Sequence, residues 1–393
     1  AAETARPLTL DECVRLALDR NFQIAIERHG PDIASNQLRL AHGDYDPTLQ
    51  LSAERGHAES PATTDDGADY TSSKEDNGTY AASVKGLFGS GLNYALSATL
   101  DESHGDRRVG GISSSPFVPY DSAGGRATFL ELRQPLLQNR RIDSARYTIR
   151  VRQADLRVSL LSLRERIVNV VASVEQAYFD LAAARAGVKV QQAAFDLARQ
   201  LYEDNARRVQ IGVLEPLDER QAQAQMASSR ADLLEVERAA AVAQNLLKNL
   251  IANELTSWED VSIEPADPLV AVAESFDPAK SRATALEQRP DLGQLAEDVD
   301  VRKLTSEFDR DQLKPQLDLV GTYGHAAKGE QLGDASGQLG DASYPFYSIG
   351  LAYSVPLGNR RAKGSVAVAE AERARAETTL AQARQNVQVE VDN

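Results

Sequence analysis

The sequence is short of most things that folds lean on. One cysteine, one methionine and one tryptophan stand among 393 residues, and aromatic residues make up 6%. A single cysteine excludes an intramolecular disulfide framework and a thiolate metal cage, so Cys13 reads as a small helix residue. No apolar run approaches the roughly 20 residues that a spanning helix needs. Positive charge is also scarce: 43 Lys and Arg against 58 Asp and Glu leave a net charge of −15. That excludes a nucleic-acid binder, because phosphate contacts require a clustered basic surface. The five histidines, His29, His42, His57, His104 and His325, are scattered without HExxH or Cys/His ligand spacing. The stretch Gly86 to Gly91 lacks the glycine order of a phosphate-cradling loop. No catalytic residue, cofactor or metal site is therefore expected.

What is present is Ala, Leu and Val, arranged in an internal repeat. Ala17-Leu18-Asp19-Arg20-Asn21 and Tyr45-Asp46-Pro47-Thr48-Leu49-Gln50-Leu51 recur 268 positions later as Ala285-Leu286-Glu287-Gln288-Arg289 and Leu313-Lys314-Pro315-Gln316-Leu317-Asp318-Leu319. A third match, Leu130 to Leu136 against Leu351 to Leu357, has an offset of 221, so repeat one carries 47 extra residues between its prolines. Each repeat reads helix, Pro, strand, loop, strand, Pro, long helix. Repeat one, 1–276, is expected to hold helices over 8–45, strands and loops over 48–134, a long helical hairpin over 136–252 and a connector over 253–276. Repeat two, 277–393, is expected to hold helices over 278–313, strands over 316–355 and the start of a long helix over 360–393.

The long helix is read from its seam. Leu156, Leu160, Leu163, Ile167, Val170, Val174, Ala177, Leu181, Ala184, Val188, Phe195, Ala198, Tyr202 and Val209 follow spacings near 3.5 residues, a coiled-coil signature. With no proline between Pro135 and Pro216, the helix can run some 70 residues, about 105 Å at 1.5 Å per residue. Gly212 supplies a left-handed C-cap and Pro216 suits the first turn of a return helix. That helix has its own seam in Ala222, Met226, Ser229, Leu233, Val236, Ala240, Ala243, Leu247 and Leu250, so the two form an antiparallel hairpin.

The strands alternate with period two. Tyr347, Ile349, Leu351, Tyr353 and Val355 are bulky, and Ser348, Gly350, Ala352 and Ser354 between them are small or polar. Leu92, Tyr94, Leu96, Ala98 and Leu100 alternate likewise, with weaker patterns at Leu49 to Ala53, Tyr80 to Phe88, Thr128 to Leu132 and Leu317 to Tyr323. Segments of about nine to eleven such residues fit a transmembrane barrel strand, and a half-buried soluble sheet fits the alternation as well. Acidic residues over 57–78, a Gly- and Ser-rich segment over 101–125 and a candidate tight turn at Gly89-Ser90-Gly91 favour the barrel, which has long outer loops and short inner turns.

Taken together, these residues resemble the TolC-like outer-membrane efflux protein family. The likeness runs from Leu8-Thr9-Leu10-Asp11-Glu12-Cys13 through Arg133 to Leu137, the Gly212-Val213-Leu214 tip and Gln221-Ala222-Gln223-Ala224, to Arg289-Pro290-Asp291-Leu292 and Val355-Pro356-Leu357. It implies a mainly α fold with a β part: long coiled-coil hairpins forming a periplasmic α-barrel, joined to a transmembrane β-barrel shared between protomers of a homotrimer. It implies a passive exit duct for small molecules or secreted polypeptides, working with a periplasmic adaptor protein and an inner-membrane transporter. Pro47, Pro135, Pro315 and Pro356 would mark the barrel-to-tunnel junctions, Tyr347, Ile349, Leu351, Tyr353 and Val355 would face outer-membrane lipid, and Gly212, Val213, Leu214, Glu215 and Pro216 would contact the adaptor. Offset 221 applied to Gly212 puts a second tip near position 433, past Asn393, so the second return helix is expected to be missing from a longer protein. The extra pair Tyr80–Phe88 and Leu92–Leu100 departs from two strands per repeat and reads either as additional wall or as an external hairpin. The competing readings are a periplasmic adaptor, which also carries a helical hairpin and β segments, and a coiled-coil scaffold or adhesin.

Overall fold

The computed structural model describes residues 4–61, 72–108, 117–268 and 277–393. Parts of the acidic loop, of the Gly- and Ser-rich segment and of the connector fall outside them. Along the chain run β1 (Thr4–Leu8), α1 (Leu10–Arg20), α2 (Phe22–His42), β2 (Thr48–Pro61), β3 (Ser72–Leu87), β4 (Asn93–Arg108) and β5 (Phe117–Pro135). There follow α3 (Ser144–Gln210), α4 (Pro216–Ile251), β6 (Val261–Pro265), α5 (Pro278–Gln288) and α6 (Pro290–Asp311). The last are β7 (Gln316–Gly329), α7 (Leu332–Gly340), β8 (Tyr344–Ser354) and α8 (Arg360–Asp392). Two compact units result.

One unit comprises Ala1–Ala34, Leu156–Ala296 and Leu380–Asn393. Its core is the helical seam: Val170, Val174 and Leu181 of α3 pack with Leu247 and Ile251 of α4, Cys13 and Ala17 of α1, and Ile24 of α2. On α4 every seam residue predicted from the spacing is buried or half-buried. On α3 the same holds except for Leu160, which is 51% exposed. The seam spacing passes over Tyr178, which is fully buried. Its hydroxyl donates to the Asp267 carboxylate at 2.8 Å and accepts the Asp267 N–H at 3.1 Å, and Asp267 also accepts the Leu10 N–H at 2.7 Å. Burial pushes the Tyr178 phenol up to about 12, so it stays a neutral donor. This node ties α3 to a short parallel ribbon of β1 and β6, registered from Thr4↔Val261 to Leu8↔Pro265. Burial raises the Cys13 thiol to about 11, so it is inert.

The other unit comprises Ser35–Asp155 and Glu297–Thr379. Its centre is a six-stranded sheet of order β2-β3-β4-β5-β7-β8, antiparallel at every pairing. Strand β8 has 11 residues, within the nine to eleven predicted; the other five are longer, reaching 19 in β5, because the ladder continues past the apolar segments. The extra pair in repeat one lies inside the sheet: β3 pairs with β2 from Thr48↔Lys85 to Pro61↔Ser72, and β4 pairs with β5. The turn between them closes with Gly91 N–H donating to the Phe88 carbonyl at 2.8 Å. Gly91 has φ of 85°, a conformation glycine adopts without Cβ strain. Helix α7, where a plain loop was expected, lies on the sheet: Ala335 is fully buried against Ala123 and Ala327, with Leu100 and Leu339 beside them. A Cβ at Gly125 would stand 2.9 Å from carbons of both Leu100 and Leu339, so the absent side chain makes room for the helix.

Candidate functional site

Three places hold the residues of interest. The first is the sheet, whose cross-strand register sorts side chains onto two faces. Tyr347 pairs with Tyr323, Ile349 with Gly321 and Leu351 with Leu319; Tyr323 pairs with Leu130 and His325 with Ala127. Continuing across, Ala127 pairs with Ala98, Ala98 with Ala82 and Ala82 with Leu51. Because pairing partners share a face, Tyr347, Ile349, Leu351 and Tyr353 stand on the same side as Leu49, Leu51, Leu96, Leu100, Leu130 and Tyr323. Tyr347 is 83% and Ile349 80% exposed; Val355 follows the strand end and is also exposed. The opposite face carries Ser52, Ser83, Ser97, Thr99, Thr128, Thr322 and Ser348, with Thr322 and Ser348 hydroxyls 2.6 Å apart. On β7 this face carries Leu317, Leu319, Gly321, Tyr323 and the buried His325, and Ala327 beyond them is covered by α7.

Beyond Leu100 and Gly125 this face becomes charged. His57, Asp76, His104 and Asp121 form one row over four strands, with His57 Nδ1 2.7 Å from Asp76 and His104 Nδ1 2.8 Å from Asp121. The Asp121 hydrogen bond raises the His104 pKa above its ordinary value, and Glu102 adds to the shift.

The second place is the set of strand ends. Pro47 precedes β2, Pro135 ends β5, Pro315 precedes β7 and Pro356 follows β8. Each lacks the N–H needed to extend a ladder or a helix. Here Arg133 Nε donates to the buried Asp318 carboxylate at 2.7 Å, joined by Gln316 at 2.8 Å. Residues 136–143 form a turn, not the first turns of α3, and Asn139 within it has φ of 62°. Asn359, before α8, has φ of 41°. Both reach the same turn between α6 and β7: Gln312 donates to the Asn139 side chain at 2.8 Å, and the Asn359 side chain donates to the Leu313 carbonyl at 3.4 Å. Pro135-Leu-Leu-Gln-Asn-Arg-Arg141 and Pro356-Leu-Gly-Asn-Arg-Arg361 were a visible signal for this pair.

The third place is the turn joining α3 and α4. Gly212 has φ of +81°; its N–H donates to the Val209 carbonyl and that of Val213 to the Arg208 carbonyl, each at 2.9 Å. This is a Schellman closure with Gly212 as its left-handed residue. Pro216 opens α4, and Glu215 N–H donates to the Asp218 carboxylate at 3.3 Å. Ile211, Val213 and Leu217 are 74%, 67% and 60% exposed. Leu214, the other apolar residue of the tip, is half-buried, and Ile211 and Leu217 extend the exposed apolar surface of Val213.

Among the described residues no helix is long and apolar enough to cross a membrane, and no group of three or more His, Cys, Asp or Glu is placed to hold a metal ion. The model of the outer membrane efflux protein family matches residues 13–253, more than half of the chain. The chain belongs to that family. It is an outer-membrane exit channel of efflux systems, placed in the outer membrane of Gram-negative bacteria. This decides for the channel against the adaptor and scaffold readings. The family and its structural neighbours are channel proteins, not enzymes. The efflux channel is similar to the Campylobacter jejuni CmeC outer membrane channel, with TM-score 0.62 and 17% identity over 95% of this chain and 67% of that one. Similar too are the outer membrane protein VceC of Vibrio cholerae, at 0.61 and 17% over 96% and 75%, and the open Neisseria gonorrhoeae MtrE channel, at 0.57 and 15% over 98% and 72%. No curated protein matches by sequence.

Proposed function

We propose that this channel works as a homotrimer, whose protomers jointly wall a barrel in the outer membrane, and that it conducts small molecules or secreted polypeptides passively. The observation that carries this reading is the two-faced sheet. A face of Leu, Tyr and Ile suited to lipid backs a face of Ser and Thr suited to a water-filled lumen. Six strands are fewer than the eight of the smallest closed barrels, so one copy needs others. Inside such a wall the backbone polar groups are satisfied by the ladder, which lets a chain without a long apolar run span hydrocarbon.

Energy for transport would come from an inner-membrane transporter reached through a periplasmic adaptor. The turn at Gly212, Val213, Leu214, Glu215 and Pro216 is the proposed adaptor contact, supported by the exposed Ile211, Val213 and Leu217 around it. Pro47, Pro135, Pro315 and Pro356 are the proposed points where wall gives way to helix. The test is conductance in planar bilayers of the detergent-extracted protein. Discrete channels are expected; extraction without detergent as a monodisperse soluble species would sink the reading.

A further inference from the structure

The hairpin β3–β4 sits in the middle of the sheet. Strand β2 has its whole ladder on β3, and β5 has its ladder on β4, so the hairpin cannot stand outside the wall without splitting the sheet. Repeat one therefore supplies four wall strands and repeat two supplies two. We propose that the barrel is closed by eighteen strands, six from each of three copies, with β8 of one copy paired to β2 of the next. This rests on the trimeric channel reading and adds to it the size and seam of the wall.

Three features support the seam. First, β2 and β8 are the sheet's two edges, and every described side chain of β2 and all of β8 except Phe346 are exposed to a degree no inner strand matches. Edges this long leave rows of N–H and C=O groups that hydrocarbon cannot satisfy. Second, strand direction alternates at every step across six strands, so β8 and the neighbour's β2 run antiparallel without any twist of connectivity. An even count per chain is what lets identical copies close head to tail into a fully antiparallel ring. Third, the apolar faces match: Ile349 and Leu351 at one edge would continue into Leu49 and Leu51 at the other, and Ser348 and Ala352 into Gln50 and Ser52.

The consequence is a wide exit. Barrel diameter grows about linearly with strand number, so eighteen strands make a pore about one and a half times as wide as the twelve that two strands per repeat would give. The hairpin widens it without filling it, since its lumen side is lined by Thr79, Ala81, Ser83, Ala95, Ser97 and Thr99.

Single-cysteine labelling tests the hairpin, and the native thiol is silent because Cys13 is buried. In outer-membrane vesicles, Ser97→Cys should react with a membrane-impermeant maleimide at least tenfold faster than Leu96→Cys, one residue away on the lipid face. Equal labelling would mean that both faces of β4 meet water and would overturn the proposal. Disulfide trapping tests the seam: Leu49→Cys or Leu51→Cys on β2 is combined with Ile349→Cys, Leu351→Cys or Tyr353→Cys on β8 and oxidised. At least one combination should give a ladder ending at three chains on non-reducing gels. A ladder ending at two, or none in any combination, overturns eighteen strands. A detergent-dependent, conducting oligomer with equal Leu96 and Ser97 labelling would fail this inference alone; loss of detergent dependence and conductance would fail the channel reading beneath it.

Discussion

Leu247 and Leu351 are the same residue in two opposite situations. Leu247, in the helical seam, is fully buried, and Leu351, in the sheet, is 66% exposed. Tyr178 and Tyr347 repeat the contrast at 0% and 83%. In the helical unit the chain supplies its own apolar environment, with helix packing against helix. In the sheet it leaves its bulky side chains exposed, on the face proposed to meet lipid. The lesson concerns what an apolar pattern means: period 3.5 here marks surface that the chain itself covers, and period two marks surface that one copy leaves exposed.

The largest effect should come from opening the seam. Leu247→Ala removes a side chain that touches the α1, α3 and α4 core, and a cavity in such packing costs about 2–5 kcal/mol. Denaturant titration followed by helical circular dichroism should show it; a loss under about 1 kcal/mol would mean that the seam is loosely packed. In the sheet the equivalent break is polarity, not volume. Ile349→Arg places a charge on the proposed lipid face and should cost about 2–4 kcal/mol on folding into liposomes. Gly350→Arg, one residue on and with nothing within 4 Å of its would-be Cβ, should fold normally and shift ion selectivity. If both variants fold equally well, the two faces do not differ in environment.

A smaller, local effect is expected at the helical turn. Gly212→Ala forces a Cβ into the left-handed region, at a cost of about 1–2 kcal/mol. Hydrogen exchange should quicken over the ends of α3 and α4 and remain unchanged at Tyr178. Slow exchange retained at Arg208 to Val213 would show that the Schellman closure tolerates the substitution.

Much of this was legible because it is periodic. The seams of α3 and α4, the alternation of β4 and β8, and the four prolines recur at fixed spacing, and spacing survives without coordinates. The remainder rests on contacts that no local period encodes. The β1–β6 ribbon joins two five-residue segments more than 250 positions apart, too short to show alternation. Tyr178 lies beside the seam and is held by a distant carboxylate, Asp267. Helix α7 is Gly-rich and reads as a loop; its stability comes from small residues beneath it, Ala123, Gly125 and Ala327. The Asn139 and Asn359 turns differ by one residue in length, which breaks the fixed offset that revealed the other repeats. The place of β3–β4 needed register, because an inserted hairpin has the same alternation in or out of the wall.

The smallest expected effect sharpens where the apolar face ends. Above that band the sheet is held by polar pairs, and His104 lies within reach of Asp121 and Glu102, beside Asp76 across the strand pair. Its folded pKa is raised, chiefly by the Asp121 hydrogen bond. The pair therefore contributes fully below the ordinary imidazole value of about 6.5 and loses its contribution as pH rises through the folded pKa. Salt should screen it, since the imidazole is exposed. The melting temperature of the sheet in detergent should fall slightly as pH rises past that window at low salt, and His104→Gln should flatten the difference. The same variant should leave the seam untouched at every pH, because His104 contacts none of its residues. If the flattening occurs in the helical signal instead, the two regions are coupled and the contrast between a self-covered core and a lipid-covered face is too sharp.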